Sequence, residues 1–427
     1  MTAQENWLAA LACAATPSIE DCLDVLGSDI DWLYALEQTE QDTEWHAEGN
    51  VYIHTGMVLS ELYKLLATDA KHIQGWQRQA LILAALLHDV GKTVRTRRFE
   101  VDGVERIGAP LHAEQGRSYL SFKLLALALP VEVIWCVLNL VGEHHMPKRL
   151  IVRNKGAADY FKLARQANIE LLYWLEVADI KGRICPDPTA QLQVLDEFRM
   201  FAEEYSVWGA PLDIKAEIQT SLEGLPVRTQ DYVYAYAQAQ LESGKINLAS
   251  EAIGTTYEHR DDYANLVVLC GPSGSGKTRW HTEQLPGYSL ISLDDLRERF
   301  NGDPESQKNR GQILQQAKEE LRQALREKRD VIWDATNLRT DFRSIVATLG
   351  RDYHALVTLV VFLLPEKQLH INNNQRDRSV ASSVIEKQLS SYQFPLLSEV
   401  HQFLLIDHAG QVQYCSGYLE SPHSQLT

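Results

Sequence analysis

The octapeptide Gly-Pro-Ser-Gly-Ser-Gly-Lys-Thr at residues 271–278 constrains this chain more than any other stretch. Glycines five residues apart, followed directly by Lys and Thr, fit a loop that wraps its backbone around a phosphate. Such a loop works only between a strand and a helix, because the helix N-terminus supplies the aligned N–H groups. The flanking sequence agrees. Leu266–Cys270 (LVVLC) is a short β-rich run, and YSLIS, DVIW and LVTLVVFLL come after it with helical segments between them. Strands alternating with helices predict a parallel sheet covered on both faces. In the loop, Gly271, Ser273, Gly274, Ser275 and Gly276 bring backbone N–H groups to the phosphates. Lys277 reaches the β- and γ-phosphates, and Thr278 offers its hydroxyl to Mg²⁺. ATP and Mg²⁺ are the expected ligands.

A second Gly-Lys-Thr closes the stretch LILAALLHDVGKT, Leu81–Thr93, but Leu86 stands where the loop needs its first glycine. This stretch has a different meaning. Leu81–Leu87 is apolar on every side, which predicts a buried helix. Gly91 is expected in the left-handed conformation just past its end. His88 and Asp89 then fall in the last turn, where a carboxylate opposes the helix dipole. Burying it alone would cost several kcal/mol, so a positive group is expected beside it. Asp179 poses the same problem, because Leu171, Leu175 and Asp179 share one helix face. His144 and His145 end another apolar helix, and His54 and His112 start helical segments. Buried carboxylates and several histidines are jointly satisfied by a divalent metal. Imidazole and carboxylate donors suit zinc, iron, manganese, nickel or cobalt about equally.

The chain has 427 residues, enough for two or three domains. Helical patterning dominates the first half and fades after about Trp208. Pro226, Gly244 and Gly254 lie in the polar stretch 224–262. The expected division is therefore 1–225, a linker 226–262, and 263–427. Six scattered cysteines with no C-x-x-C pair argue against disulfides or structural zinc and fit a reducing cytoplasm. No apolar run reaches the roughly 18 residues needed to cross a bilayer. A net charge of −16 excludes nonspecific coating of nucleic acid, though not an enzyme that grips one end of a strand. Two basic clusters stand out locally: Arg95, Arg97 and Arg98, then Lys148, Arg149, Arg153 and Lys155.

The series His54, His88–Asp89, His112, His144–His145, Asp179 resembles the HD-domain phosphohydrolases, an all-helical, metal-dependent superfamily. The likeness covers about residues 45–185. It implies that His54, His88, Asp89 and Asp179 hold one ion, that Asp89 bridges to a second, and that His112 and His144 face the second, with His145 a further candidate. Lys92, next to the doublet, is expected either to steady a phosphate or to complement the helix dipole.

The phosphate loop by itself gives nucleotide binding, not a reaction. Downstream, SLDDLRERF sets Asp294 and Arg297 one helical turn apart after the second strand, and DVIWDATNL ends a strand at Asp334. An acceptor hydroxyl needs a base, and an anionic acceptor needs a cation beside it. NNNQRDRSV then supplies Arg376 and Arg378 for a lid. Residues 266–395 thus resemble the 5′-hydroxyl polynucleotide kinases. By that likeness Asp294 is the general base, Arg297 binds the phosphate beside the acceptor hydroxyl, and Asp334 positions acceptor or metal. Asn372 and Asn373 depart from the pattern, standing where another arginine is expected.

The whole chain order resembles bacterial HD-domain/polynucleotide kinase fusions that heal broken RNA ends. That resemblance implies a multidomain protein: an all-α HD domain, then an α/β P-loop kinase domain with a parallel sheet. It implies removal of 2′,3′-cyclic, 2′- or 3′-phosphates in the first half and phosphorylation of 5′-hydroxyl ends of RNA (or DNA) in the second. No K-x-D-G ligase motif is present, so sealing would fall to a separate RNA ligase. Two alternatives stay open: a nucleotide phosphohydrolase regulated by an ATP-binding module, and a small-molecule kinase fused to an HD phosphatase. The sequence sets no oligomeric state and no preference among the metals.

Overall fold

A computed structural model describes residues 1–303, 308–376 and 378–417. The chain divides into two compact units, Met1–Leu212 and Asp213–Thr427.

The first unit is helical apart from one hairpin. Its centre is the helix Gly75–Leu87, buried from Arg78 to Leu87. The helices Val51–Ala67, Val131–Glu143 and Ile169–Lys181 pack around it. The last of these is buried along its whole length from Ile169 to Ile180, Asp179 included, apart from Glu170. Asparagine side chains cap two of these helices. Asn50 accepts from the Ile53 N–H, and Asn168 from the Leu171 N–H. Pro147 sits in the first turn of Met146–Val152, where its missing N–H costs nothing. The hairpin has no counterpart in the sequence reading. β1 (Arg97–Val101) and β2 (Val104–Gly108) pair antiparallel between Lys92 and His112.

The second unit carries a six-stranded sheet. Its strands are β3 (Asn265–Cys270), β4 (Ser289–Ser292), β5 (Val331–Asp334), β6 (Leu356–Phe362), β7 (Gln402–Ile406) and β8 (Val412–Ser416). They lie in the order β4-β5-β3-β6-β7-β8. All neighbours are parallel except β8, which returns antiparallel along β7. The central strands are buried throughout, as parallel strands under helices must be.

The stretch expected as a linker is part of this second unit. Pro226 caps the helix Val227–Glu242, and Gly244, at φ +67°, closes it. Tyr232 and Ala235, one turn apart, form a buried cluster with Tyr263 and Leu356 at the base of the sheet. The proline and glycine mark helix ends there, and apolar contacts fold the segment onto the sheet.

Candidate functional site: a histidine–carboxylate centre and a phosphate loop

In the first unit five helices deliver their ends to one point. His54 comes from the first turn of Val51–Ala67, and His88 and Asp89 from the end of Gly75–Leu87. His112 opens the helix His112–Lys123, His144 ends Val131–Glu143, and Asp179 lies near the end of Ile169–Lys181. Nε2 of His54 stands 3.0 Å from Asp179 Oδ1 and 3.7 Å from Asp89 Oδ2. Nε2 of His88 stands 3.3 Å from the same Asp89 oxygen. The other Asp89 oxygen faces His112 Nε2 at 3.0 Å and His144 Nε2 at 3.9 Å. His145 Nε2 meets His112 Nε2 at 3.2 Å. Among the described residues three donor groups have ligand atoms close enough to share an ion: His46–Glu48–His54, and the two that face Asp89, His54–His88–Asp179 and His112–His144–His145. Asp89 turns one oxygen toward each of the latter two.

The ring orientations fit metal binding. Nδ1 of His88, His112 and His144 donates to the carbonyls of Ala85, Ala109 and Val141 at 2.9, 2.7 and 2.7 Å. Nδ1 of His54 lies 3.1 Å from both the Gly182 carbonyl and Glu48 Oε1. A proton fixed on Nδ1 leaves Nε2 as a bare acceptor. Nε2 of His54, His88 and His144 is buried with no hydrogen-bond partner. His54 Nε2 and Asp179 Oδ1 are then two acceptors face to face, an arrangement that a cation relieves. Burial and the neighbouring histidines keep His144 and His145 neutral, well below the usual histidine range. His88 is also buried, yet Asp89 and Asp179 push it up. The charge that attracts a proton there would attract a metal ion equally.

The positive partner expected beside Asp89 is Lys92, whose Nζ lies 2.7 Å from Oδ2 and donates to Gln41 Oε1 at 2.8 Å. Burial would raise the Asp89 carboxyl, but Lys92, His88 and His112 hold it well below the usual range. Asp179 behaves alike, with Arg183, His54 and Lys148 overcoming burial. Gly91 differs from the expectation. Its φ is −69°, right-handed, so it is not a left-handed cap. Its lack of a side chain matters for another reason: a Cβ there would sit 2.0 Å from the His112 carbonyl oxygen and 2.9 Å from the Gly116 nitrogen. Gly91 lets the helix bearing His112 approach Asp89.

Several residues at this centre escaped sequence reasoning. Arg183 donates to Asp179, and Lys148 lies 2.9 Å from the buried Glu176 and 3.8 Å from Asp179. Glu48, nearly inaccessible, takes His46 Nδ1 on Oε1 at 2.8 Å and the Ile184 N–H on Oε2 at 2.9 Å, while facing His54. Burial pulls His46 down to about 4. Lys148 and Glu48 owe these roles to partners across the fold, Glu176 and Ile184, whereas Arg183 stands one helical turn after Asp179.

In the second unit Gly274 and Gly276 take φ of +80° and +90°, which only glycine adopts easily. A Cβ on Gly274 would also strike the Leu369 carbonyl at 2.7 Å. Lys277 folds over the loop, donating to the Gly271 and Pro272 carbonyls at 2.8 and 2.9 Å and to Ser275 Oγ at 3.3 Å. Thr278, in the first turn of Lys277–Gln284, is exposed. Register places Ser292 beside Asp334 at the carboxyl edge of the sheet. Ser292 caps the helix Leu293–Asn301, which carries Asp294 and Arg297. Burial raises the Asp334 carboxyl against the pull of Lys277 and His281, and Asp294 and Asp295 raise it further. Arg297 bonds Asp294 directly.

The helices Glu366–Asn374 and Ser382–Ser391 reach the loop through amides. Asn372 donates to the Gly274 carbonyl at 3.0 Å, and Gln388 bonds both the N–H and the hydroxyl of Ser273 at 2.8 and 3.1 Å. Asn373 bonds Val380 in both directions at 2.8 and 3.0 Å and closes the lid turn. The two asparagines standing in place of an arginine thus have structural work. Arg376 is exposed, and Arg378 lies 3.4 Å from Glu298 on the helix that bears Asp294.

Comparison with known proteins agrees with this division. A family model described as an HD domain matches residues 51–180, and one described as an AAA domain matches residues 266–395. The chain therefore joins an HD domain to a P-loop kinase-like domain. No curated protein matches the chain. A solved structure from the PezAT chromosomal toxin-antitoxin system of the human pathogen Streptococcus pneumoniae is similar at 15% identity. It covers 41% of this chain and 83% of that one with a TM-score of 0.29, too slight a likeness to bear on activity. Among the described residues, no helix is long and apolar enough to cross a membrane.

Proposed function

We propose that this protein heals broken RNA ends. Its first unit removes 2′,3′-cyclic, 2′- or 3′-phosphates, and its second transfers the γ-phosphate of ATP to a 5′-hydroxyl. The observation that carries this reading is a phosphate-removing type of centre and a phosphate-adding type of loop on one chain. RNA cleaved by transesterification ends in a cyclic phosphate and a 5′-hydroxyl. A ligase needs both reversed.

In the first unit His54, His88, Asp89 and Asp179 would hold one ion, and Asp89, His112, His144 and His145 a second. A bound ion lowers the pKa of its water toward 7 and supplies hydroxide at neutral pH. Lys92 stands where it can turn from Asp89 to a phosphate oxygen. Lys148 and Arg183 hold Glu176 and Asp179 in place. In the second unit Asp294 accepts the proton of the attacking hydroxyl, and Arg297 swings from Asp294 to the adjacent phosphate. Lys277 tracks the transferring phosphoryl group, Asp334 positions acceptor or Mg²⁺, and Arg376 and Arg378 close over the nucleotide.

The test is a single-stranded oligoribonucleotide with a 5′-hydroxyl and a 2′,3′-cyclic phosphate, incubated with ATP and with Mg²⁺, Mn²⁺, Ni²⁺ or Co²⁺. Healing at both ends is expected, with a transition metal required at the 3′ end because imidazole donors suit such ions better than Mg²⁺. A chain that hydrolyses mononucleotides only when ATP is bound would instead be a regulated nucleotide phosphohydrolase. One that phosphorylates a nucleoside as well as its 3′-monophosphate would be a small-molecule kinase.

A further inference from the structure

The β1–β2 hairpin takes no part in the chemistry just described, yet it joins two residues of the metal centre. Lys92 and His112, both against Asp89, flank its ends. Arg95 Nε donates to the Pro110 carbonyl at 2.9 Å and closes its base. The arm is held in place from one side. Arg98 bonds Glu40 at 2.5 Å, Arg106 pairs with Asp42 and Glu44, and Asp42 also accepts from the Ile107 N–H at 3.2 Å.

The pairing register sorts the side chains. Arg97 stands opposite Gly108, Phe99 opposite Arg106, and Val101 opposite Val104, so these six share one face. Arg98, Glu100, Glu105 and Ile107 share the other. The acidic residues of the strands thus fall on one face and the apolar ones largely on the opposite face. Phe99 is 43% exposed, Val101 47% and Val104 55%. All three belong to the exposed surface of the hairpin. Arg97 is exposed on the same face and, among the described residues, faces no carboxylate within ion-pair distance. Phe99 lies across Gly108, where a Cβ would touch its ring at 2.8 Å. Val94 and Leu111, which flank the hairpin in sequence, are exposed apolar residues as well, the latter at φ +61° directly before His112.

An aromatic ring beside an unpaired arginine, on a strand leading to a phosphate-removing centre, matches single-stranded nucleic acid. Unstacked bases lie on aromatic faces, and arginines take the phosphates between them. We propose that this face of the hairpin receives the nucleotides next to the terminal phosphate. The centre would then act on polynucleotide ends in preference to free mononucleotides. The proposal rests on the phosphate-removing reading of the first unit and deepens it.

The experiment compares wild type, Phe99→Ala and Arg97→Ala on two substrates with the same reacting group. One is a nucleoside 2′,3′-cyclic phosphate, the other a short single-stranded RNA ending in that group. Wild type should show a lower KM for the RNA. Phe99→Ala should raise the RNA KM about 5- to 100-fold, the range for one stacked base. Arg97→Ala should flatten the salt dependence of RNA binding. Neither should change turnover of the mononucleotide, which serves as the internal control for folding. If wild type treats both substrates alike, or Phe99→Ala leaves the RNA KM unchanged, the platform is refuted and phosphate removal stands. If wild type hydrolyses neither, both readings fall.

Discussion

Removing Glu48 should weaken one of the two metal sites and spare the other. The Glu48 carboxylate is 1% exposed and meets three partners: His46 Nδ1 at 2.8 Å, His54 Nδ1 at 3.1 Å and the Ile184 N–H at 2.9 Å. It ties the loop before the first metal ligand to the loop after the last, assisted by the Ala47 N–H, which donates to the Ile184 carbonyl at 2.9 Å. A carboxylate behind a ligating histidine fixes its tautomer and raises its basicity, and losing such a partner costs about 10–100-fold in metal affinity. In Glu48→Ala the Gly182 carbonyl still faces His54 Nδ1 at 3.1 Å, so the tautomer survives. The expected loss is therefore in the lower part of that range, about 10–30-fold. Glu48→Gln should do no better. One end of its amide must present N–H groups either to the two imidazoles or to the Ile184 N–H. Calorimetric titration of the metal-free protein with Mn²⁺ reads this directly, as two classes of site. The weakened class should be that of His54, His88 and Asp179. The His112–His144–His145 class should keep its affinity, because Glu48 touches none of its members. A thermal scan in chelator separates this from a folding defect, which would lower the melting temperature whether or not metal is present. Unchanged affinity at both classes would refute the role assigned to Glu48, and an equal loss at both would show only general loosening.

Asp89→Ala should abolish phosphate removal and leave 5′ phosphorylation intact, and Lys277→Ala should do the reverse. A folded variant lacking both activities, scored at the two ends of one oligonucleotide, would contradict two independent sites. Gly91→Ala should displace the His112 backbone, because the new Cβ would sit 2.0 Å from its carbonyl oxygen. A destabilisation of about 1–3 kcal/mol should appear in denaturant melts together with lost metal content, whereas normal metal content would show that the helices part freely. Asp294→Asn should lower 5′ phosphorylation about 10²–10⁴-fold with ATP binding preserved, and Arg297→Ala should raise KM for a 3′-phosphorylated acceptor. Near-normal turnover of Asp294→Asn by radiolabel transfer would mean that another group takes the proton.

Much that depends on neighbours in sequence was legible in the sequence, although the local hairpin turning at Asp102-Gly103 was passed over. The phosphate loop was legible, because its glycines, lysine and threonine act through one turn of backbone. The buried helix ending in His88 and Asp89 was also legible, since an apolar run closed by a carboxylate demands a partner wherever it folds. Periodicity likewise gave the alternation of strands and helices in the second half. Tertiary structure decided the rest. Which histidines share a pocket depends on where five helix ends meet. Glu48, Lys148 and Gln388 gain their roles from residues brought to them from elsewhere in the chain. Gly91 has the sequence signature of a helix cap, a glycine just past an apolar helical run; the His112 backbone that packs against it comes from a later helix. The stretch 226–262 looked like a linker because proline and glycine mark helix ends and linkers alike. Only the burial of Tyr232 and Ala235 against Tyr263 and Leu356 tells the two apart. Which residues of the two strands share a face is set only by register, since a shift of one residue would have put Phe99 and Val101 on the face that carries Glu105 and Ile107.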